Sequence, residues 1–187
     1  MNNISELVIK LSKDPFNPQI NFECAVEYEK LRQTASAVSF YLRTAEYGDD
    51  ILVYNSLLKV AACMHDQNDR IHTVSNCILQ AISYMPKRPE GYFLMSQFHE
   101  RSSNWQESYT WAEMGLSLND DNFVHLPADV GYKGKYSLEF EKGISAWCIG
   151  RKDESKEILT NLLNCDIADE YRNAILYNLE KVNNVII

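Results

Sequence analysis

The sequence lacks an excess of basic residues. Its 187 residues carry 18 Lys and Arg against 26 Asp and Glu, a formal net charge of −8. Because nonspecific nucleic-acid binding needs clustered Lys and Arg to neutralise phosphates, this balance argues against DNA or RNA as the partner. It argues equally against attachment to an anionic membrane surface. The sequence also has no apolar run of about 18 residues, so no membrane span is expected.

Paired cysteines and an export signal are missing as well. The five cysteines are scattered, odd in number and form no C-x-x-C motif, which favours reduced thiols in a cytosolic environment. The first six residues hold no basic region followed by an apolar run, so no secretory signal is expected. The sequence therefore predicts a cytoplasmic protein.

Signatures of catalysis and metal binding are also scarce. The sequence has no Gly-rich phosphate loop and no G-x-S-x-G motif. Cys63 and His65 are the start of a possible zinc set, but residues two apart on a predicted helix point in different directions. The acidic clusters at 48–50 and 119–121 lie at predicted helix boundaries, where Asp caps backbone N–H groups. We expect no enzyme, no metal and no cofactor.

Helical periodicity dominates the sequence that is present. An apolar stripe from Ile4 to Leu11 predicts a short N-terminal helix, which the two prolines of segment 14–18 end. Apolar spacing and turn residues then predict four pairs of helices and a last single one, at about 20–31 with 34–47, 51–66 with 71–85, 90–101 with 105–118, 136–149 with 153–163, and 167–182.

Segment 119–135 interrupts this rhythm. Loops of this length are uncommon inside compact arrays, so we expect it to pack on the surface or to have a function. The length predicts one domain over 1–187. It comprises an N-terminal helix and linker (1–16), repeats (17–164) that include loop 119–135, and a capping helix with a tail (165–187).

Small residues recur with the helix pairs. Ala81 and Gly115 lie 34 positions apart, each late in a predicted second helix, and 34 residues is a repeat length typical of helical hairpins. Small side chains at such positions let two antiparallel helices approach closely. Small or compact residues also lie early in the second helices, at Ala37, Val74, Ser108 and Ser155.

Aromatic and small residues combine in a pattern that resembles the tetratricopeptide repeat (TPR). In the first repeat, Tyr28, Ala37 and Tyr41 take the aromatic–small–aromatic positions, and the third repeat follows less faithfully with Tyr92, Trp105 and Ala112. The resemblance implies an all-α fold, an α-solenoid of about four TPR-like hairpins with a short N-terminal helix and a C-terminal capping helix. Two departures are Arg32, where a turn glycine is usual, and Leu162, where alanine is usual.

Longer phrases resemble repeat segments of two kinds of protein, in the stretches 14–18, 27–31, 35–41, 88–93 and 131–136. The first kind comes from tailed phages of marine cyanobacteria and implies an assembly component associated with a virion. The second kind is attached to some glycosyltransferases and implies an accessory subunit that holds the acceptor protein of a separate enzyme. A third alternative, a small enzyme in its own right, would require a deep pocket with convergent polar side chains.

The repeat register predicts a partner-binding groove. In stacked hairpins the first helices line the concave face, and the register places ten residues there: Phe22, Val26, Glu29, Leu58, Phe93, Gln97, Glu100, Phe140, Ile144 and Trp147. An apolar stripe beside an acidic one favours an amphipathic, partly basic segment of a partner protein. The aromatic residues could instead pack between the hairpins, and the sequence leaves both alternatives open. The apolar tail 182–187 is a candidate contact for an oligomer or a larger assembly.

Overall fold

The computed structural model describes residues 3–65, 70–118 and 125–184, with side chains described from 4 to 180 within these ranges, and these ranges contain helices and no strands. The helices are, in chain order, α1 (Asn3–Leu11), α2 (Pro18–Lys30), α3 (Thr34–Tyr47), α4 (Asp50–His65), α5 (Ile71–Tyr84), α6 (Pro89–Arg101), α7 (Trp105–Leu116), α8 (Lys135–Cys148), α9 (Lys152–Leu163) and α10 (Asp169–Asn184). Four hairpins pair α2 with α3, α4 with α5, α6 with α7, and α8 with α9.

The predicted helices are confirmed, with described ends that differ by at most two residues. All four first helices begin one or two residues earlier than predicted. In two of them Pro18 and Pro89 occupy the first helical turn, where proline fits without losing a hydrogen bond. Asn17 caps α2, since its Oδ1 accepts the N–H of Ile20 at 3.1 Å. The predicted turn 67–69, the cluster at 119–121 and the side chains of tail 182–187 lie outside the described residues.

The described residues divide into two compact units. The first takes in the described residues up to Lys87 together with 125–130, and the second takes in 88–118 and 131–184. The single domain over 1–187 stays a prediction.

The first compact unit is built around aromatic and small side chains of α2 and α3. The rings of Phe22 and Tyr41 meet edge to face at 5.6 Å, and Tyr41 is fully buried. Ala25 and Ala37 are also fully buried in this cluster, and such small side chains permit a close approach of the two helices. On the other side, α1 is held by the buried side chains Leu7, Leu11 and Cys24.

The second compact unit shows why small residues recur. A Cβ added at Gly115 would lie 2.9 Å from Leu138 Cδ1 and 2.9 Å from Tyr92 Cβ, so α6, α7 and α8 meet at a distance that only glycine allows without a shift. Nearby, the buried hydroxyls of Ser96, Ser108 and Ser145 connect the same three helices: Ser145 Oγ donates to Ser108 Oγ at 2.8 Å, and Ser96 Oγ lies 3.1 Å from Ser108 Oγ.

The turns of three hairpins share one backbone conformation. Arg32, Ser103 and Gly150 have φ of +57°, +57° and +88°, the left-handed region that favours glycine. In each turn the next N–H donates to a carbonyl five residues earlier, in the pairs Gln33–Tyr28 (2.9 Å), Asn104–His99 (2.9 Å) and Arg151–Ala146 (2.8 Å). Arg32 therefore replaces the usual glycine without changing the turn.

Candidate functional site

Three of the residues predicted to line the groove lie in the core. Phe22 is 3% exposed, Leu58 is 0% exposed and Phe93 is 1% exposed. Phe22 packs on Tyr41, and Phe93 packs in a cluster with Leu138. These three side chains pack between helices, the alternative that the sequence left open.

The apolar groove residues of α8 are half-buried. Phe140 and Ile144 pack with side chains of α9 and α10, and the rings of Phe140 and Tyr171 lie 5.2 Å apart at nearly a right angle. Trp147 lies one turn further on, and the ammonium of Lys152 is 5.1 Å from the centre of its ring. Part of each of these three groove residues still faces outward.

In the first compact unit the acidic groove residue is already paired. Glu29 Oε1 accepts from Lys59 Nζ at 2.6 Å, and Glu29 Oε2 accepts from the hydroxyl of Tyr41 at 2.6 Å. Burial, with help from Glu29, raises the pKa of Tyr41 far above its ordinary value. Val26 packs beside this network, half-buried against the core cluster. This part of the predicted acidic stripe is therefore neutralised from within the chain.

A segment of the long loop lies against α4. The side chain of Asn55 is fully buried and makes two hydrogen bonds to Ala128: Nδ2 donates to its carbonyl oxygen at 3.0 Å, and Oδ1 accepts its N–H at 2.7 Å. Lys59, one turn further along α4, donates to the carbonyl oxygen of Asp129 at 3.3 Å. This described segment of the loop thus packs against α4, in agreement with one of the two outcomes that the loop's length suggested.

The segment alternates in burial. Leu126, Ala128 and Val130 are half-buried, whereas Pro127 and Asp129 are exposed. Ala128 packs against the core cluster that contains Phe22. The backbone bends at Pro127 and Ala128 and is held by polar side chains of α4, while every second side chain is half-buried.

The sequence reasoning missed Asn55 and Lys59. A usable signal was present, because these are polar residues one turn apart in a helix that is otherwise largely apolar, so that both lie on one face. Buried polar residues of this kind are rare unless they have partners.

In the second compact unit, a carboxylate that the sequence did not single out lies among the predicted site residues. Glu141 is 3% exposed. Its Oε1 accepts from Gln97 Nε2 at 3.1 Å, and its Oε2 has no hydrogen-bond partner among the described residues. Glu141 follows Phe140 directly on α8, and the repeat register gave no sign that Glu141 would face Gln97 of α6.

The pKa values of Glu141 and Glu100 are both raised. Burial, followed by the negative charge of Glu100, raises the pKa of Glu141 to about 8. Burial also raises the pKa of Glu100 itself, against a lowering by Arg101. Glu141 is therefore mostly protonated at neutral pH, and a cation placed beside it would favour its ionised form.

The described ranges contain neither a metal site nor a membrane span. No three His, Cys, Asp or Glu side chains there are grouped to hold a metal ion. Asp49 caps α4, since its Oδ1 accepts the N–H of Leu52 at 2.9 Å, which confirms the capping role predicted for that cluster. No helix in these ranges is long and apolar enough to cross a membrane.

No protein-family model matches the chain, and no curated protein matches it in sequence. Several solved structures are similar. The crystal structure of MamA superimposes with a TM-score of 0.66 and 12% identity over 86% of this chain and 85% of that one. TTC0263, a thermophilic TPR protein of Thermus thermophilus, superimposes with a TM-score of 0.65 and 13% identity over 94% of this chain and 88% of that one.

A third similar structure is much longer than this chain. The APC/C hetero-tetramer Cut9–Hcn1 gives a TM-score of 0.67 and 15% identity over 97% of this chain but 34% of that one, so this chain spans about a third of its length. At such identities the similarity concerns the fold. The chain has an all-helical fold that resembles TPR solenoid proteins.

Proposed function

We propose that this protein is a noncatalytic interaction scaffold that binds a basic, amphipathic segment of a partner protein on the first helices of its second compact unit, α6 and α8. The observation that carries the proposal is the buried carboxylate of Glu141, which has an unpartnered oxygen beside Gln97 and Glu100. A Lys or Arg side chain of the partner would supply the missing hydrogen bonds and the opposite charge.

The energetics favour such a ligand. A buried polar atom without a partner costs about 1–3 kcal/mol, and more when it is charged. A partner cation would remove this cost and would be shielded from water, so its interaction with Glu141 would exceed that of an exposed ion pair.

The apolar half of the partner segment would contact α8. Phe140, Ile144 and Trp147 follow helical spacing on α8 and remain partly exposed. Glu141 lies beside this stripe, so that an amphipathic segment would place its basic residue on Glu141 and its apolar residues on the stripe. One similar fold, Cut9–Hcn1, belongs to a hetero-tetramer, which agrees with a role in assembly.

The proposal can be tested with peptides. A displayed library of amphipathic peptides would be selected on the purified full chain, and the selected peptides would be titrated into the wild type, Glu141→Gln and Glu100→Gln. We expect the selected peptides to contain Lys or Arg and Glu141→Gln to weaken their binding at least tenfold. Glu157→Gln, at an exposed carboxylate of α9, is the matched control. Selected peptides without basic residues, or equal binding to all variants, would contradict the proposal.

Two biological settings fit such a scaffold. The phrase-level resemblances imply either an assembly component of a tailed phage or an accessory subunit that holds the acceptor protein of a glycosyltransferase. We place the phage setting first. Genes for structural proteins beside this one support it, whereas a transferase gene next door supports the accessory role.

A further inference from the structure

The surface where residues 126–130 lie against α4 has the features of a binding site for a short peptide segment. We propose that the surface formed by α2 and α4 of the first compact unit binds a partner segment with a small apolar residue at its centre, in the bent conformation of residues 126–130, and that residues 126–130 occupy this surface until the partner displaces them. We call this surface the Asn55 site; it consists of Asn55, Lys59 and the core cluster around Phe22.

The hydrogen bonds that Asn55 and Lys59 make with the bound segment go to its backbone groups. The carboxamide of Asn55 donates to one carbonyl oxygen and accepts one N–H of the same residue, Ala128. Because every residue except proline offers both groups, this pairing accepts any sequence in the same conformation. Lys59 adds a bond to the next carbonyl oxygen, that of Asp129.

The apolar contacts define the partner. Ala128 packs on the core cluster, with the half-buried Leu126 and Val130 two positions to either side. The surface therefore favours a small residue at the position of Ala128 and a larger apolar residue at one or both flanking positions. Pro127 and Asp129 are exposed.

The site is organised independently of its occupant. Glu29 holds the ammonium of Lys59 at 2.6 Å and is itself held by the hydroxyl of Tyr41 at 2.6 Å. This ion pair keeps Lys59 beside the backbone when the segment leaves. A prearranged site loses little entropy on binding.

The internal segment is held weakly enough to be exchanged. Its contacts include three hydrogen bonds with side chains of α4 and the partial burial of Leu126, Ala128 and Val130. A hydrogen bond of this kind contributes about 1 kcal/mol. A partner with the same backbone contacts and more apolar surface competes against an effective concentration in the millimolar range.

The test uses a synthetic peptide with the sequence of residues 125–130 and capped ends. Replacement of 125–130 by an equally long Gly-Ser segment empties the Asn55 site, and the peptide is titrated into the full chain by NMR. We expect binding to the replaced chain and none to the wild type. In the replaced chain, Asn55→Ala reduces the affinity at least tenfold, whereas Asn76→Ala, at an exposed position of α5, leaves it unchanged.

A second variant decides the question if the replaced chain does not fold. Ala128→Pro removes the N–H that donates to Asn55 and keeps the length of the loop, so it weakens the internal contact with a single substitution. We expect this chain to bind the peptide, and to bind a peptide with Leu in place of the central Ala more weakly.

Three results would overturn the proposal. The first is a folded variant with an emptied site that does not bind the peptide, and the second is binding that does not depend on Asn55. The third is dimerisation of the Ala128→Pro chain by light scattering, which would identify a second copy as the occupant. The test uses neither Glu141 nor a basic peptide, so its outcome is separate from that of the proposed function.

Discussion

Asn55 and Ala128, 73 positions apart in the sequence, are joined by two hydrogen bonds: the side chain of Asn55 donates to the carbonyl oxygen of Ala128 at 3.0 Å and accepts its N–H at 2.7 Å. A side chain of α4 thus satisfies both backbone groups of one loop residue. This pair ties the described end of the long loop to the first compact unit, and without it those groups would have to bond to water.

Loss of the Asn55 side chain should release the loop. We expect Asn55→Ala to lower the free energy of unfolding by about 1–3 kcal/mol and to speed hydrogen exchange at the amide of Ala128 at least tenfold. Asn76→Ala, exposed on α5, should change stability by less than about 0.5 kcal/mol. An unchanged exchange rate at Ala128 would show that the pair does not hold the loop.

The left-handed turn positions should accept glycine with a gain in stability. Arg32 and Ser103 both have φ of +57°, a conformation that costs a residue with a side chain about 1–2 kcal/mol. Because glycine also raises the entropy of the unfolded chain, we expect Arg32→Gly and Ser103→Gly each to stabilise by about 0.5–1 kcal/mol in urea unfolding. Gly150→Ser, at φ +88° in open space, should destabilise by a similar amount. A loss of stability in both glycine variants would contradict this account of the turns.

Glu141 should make stability fall as the pH rises. Its pKa is raised from 4.5 to about 8 in the folded protein, so the folded state binds more protons than the unfolded state between these values. The protonated form of Glu141 makes its full contribution to the free energy of unfolding below pH 4.5, and this contribution is lost as the pH rises towards 8.

Replacement of Glu141 by glutamine should remove this dependence. Relative to wild type, Glu141→Gln should gain on the order of a few kcal/mol of stability between pH 5 and pH 9 in urea unfolding, whereas Glu157→Gln should show no comparable gain. Parallel pH profiles for wild type and Glu141→Gln would show that Glu141 is not perturbed.

The ion pair of Arg88 and Glu90 should behave as a coupled pair. Both side chains are buried, at 6% and 1% exposure, and Arg88 donates to both carboxylate oxygens of Glu90. Arg88→Met leaves a buried carboxylate without its guanidinium, so we expect a loss of about 3–5 kcal/mol.

A double-mutant cycle measures this coupling. Arg88→Met with Glu90→Leu should cost clearly less than the sum of the two single variants. The partly exposed pair Lys135 and Glu139, with its charged atoms 3.8 Å apart, is the control and should show a coupling below about 1 kcal/mol. Additive losses at Arg88 and Glu90 would mean that the two residues act independently.

The fold could be predicted from the sequence because its signals are local and repeated. The spacing of apolar residues predicted the helices, and small residues such as Ala81 and Gly115, 34 positions apart, predicted the hairpins. The proline at position 18 misled the prediction of a helix start, since proline ends a helix in one context and begins one in another.

The candidate sites depended on contacts that spacing does not encode. Phe22 and Phe93 belong to first helices, as the repeat register predicts, yet they face the core. Which face of a first helix is covered depends on neighbouring elements, such as α10 over Phe140. The partner of Asn55 is a loop residue 73 positions away, and no local pattern could have identified it.

The proposed cation site on Glu141 is tested most directly by the protons released when a basic peptide binds. A peptide selected on the full chain would be titrated at pH 7 by calorimetry in two buffers with different ionisation enthalpies. Because Glu141 is mostly protonated in the free protein and ionised beside a cation, the wild type should release about one proton per complex, and Glu141→Gln should release none and bind at least tenfold more weakly. Binding without proton release, at the same affinity in both proteins, would contradict the account.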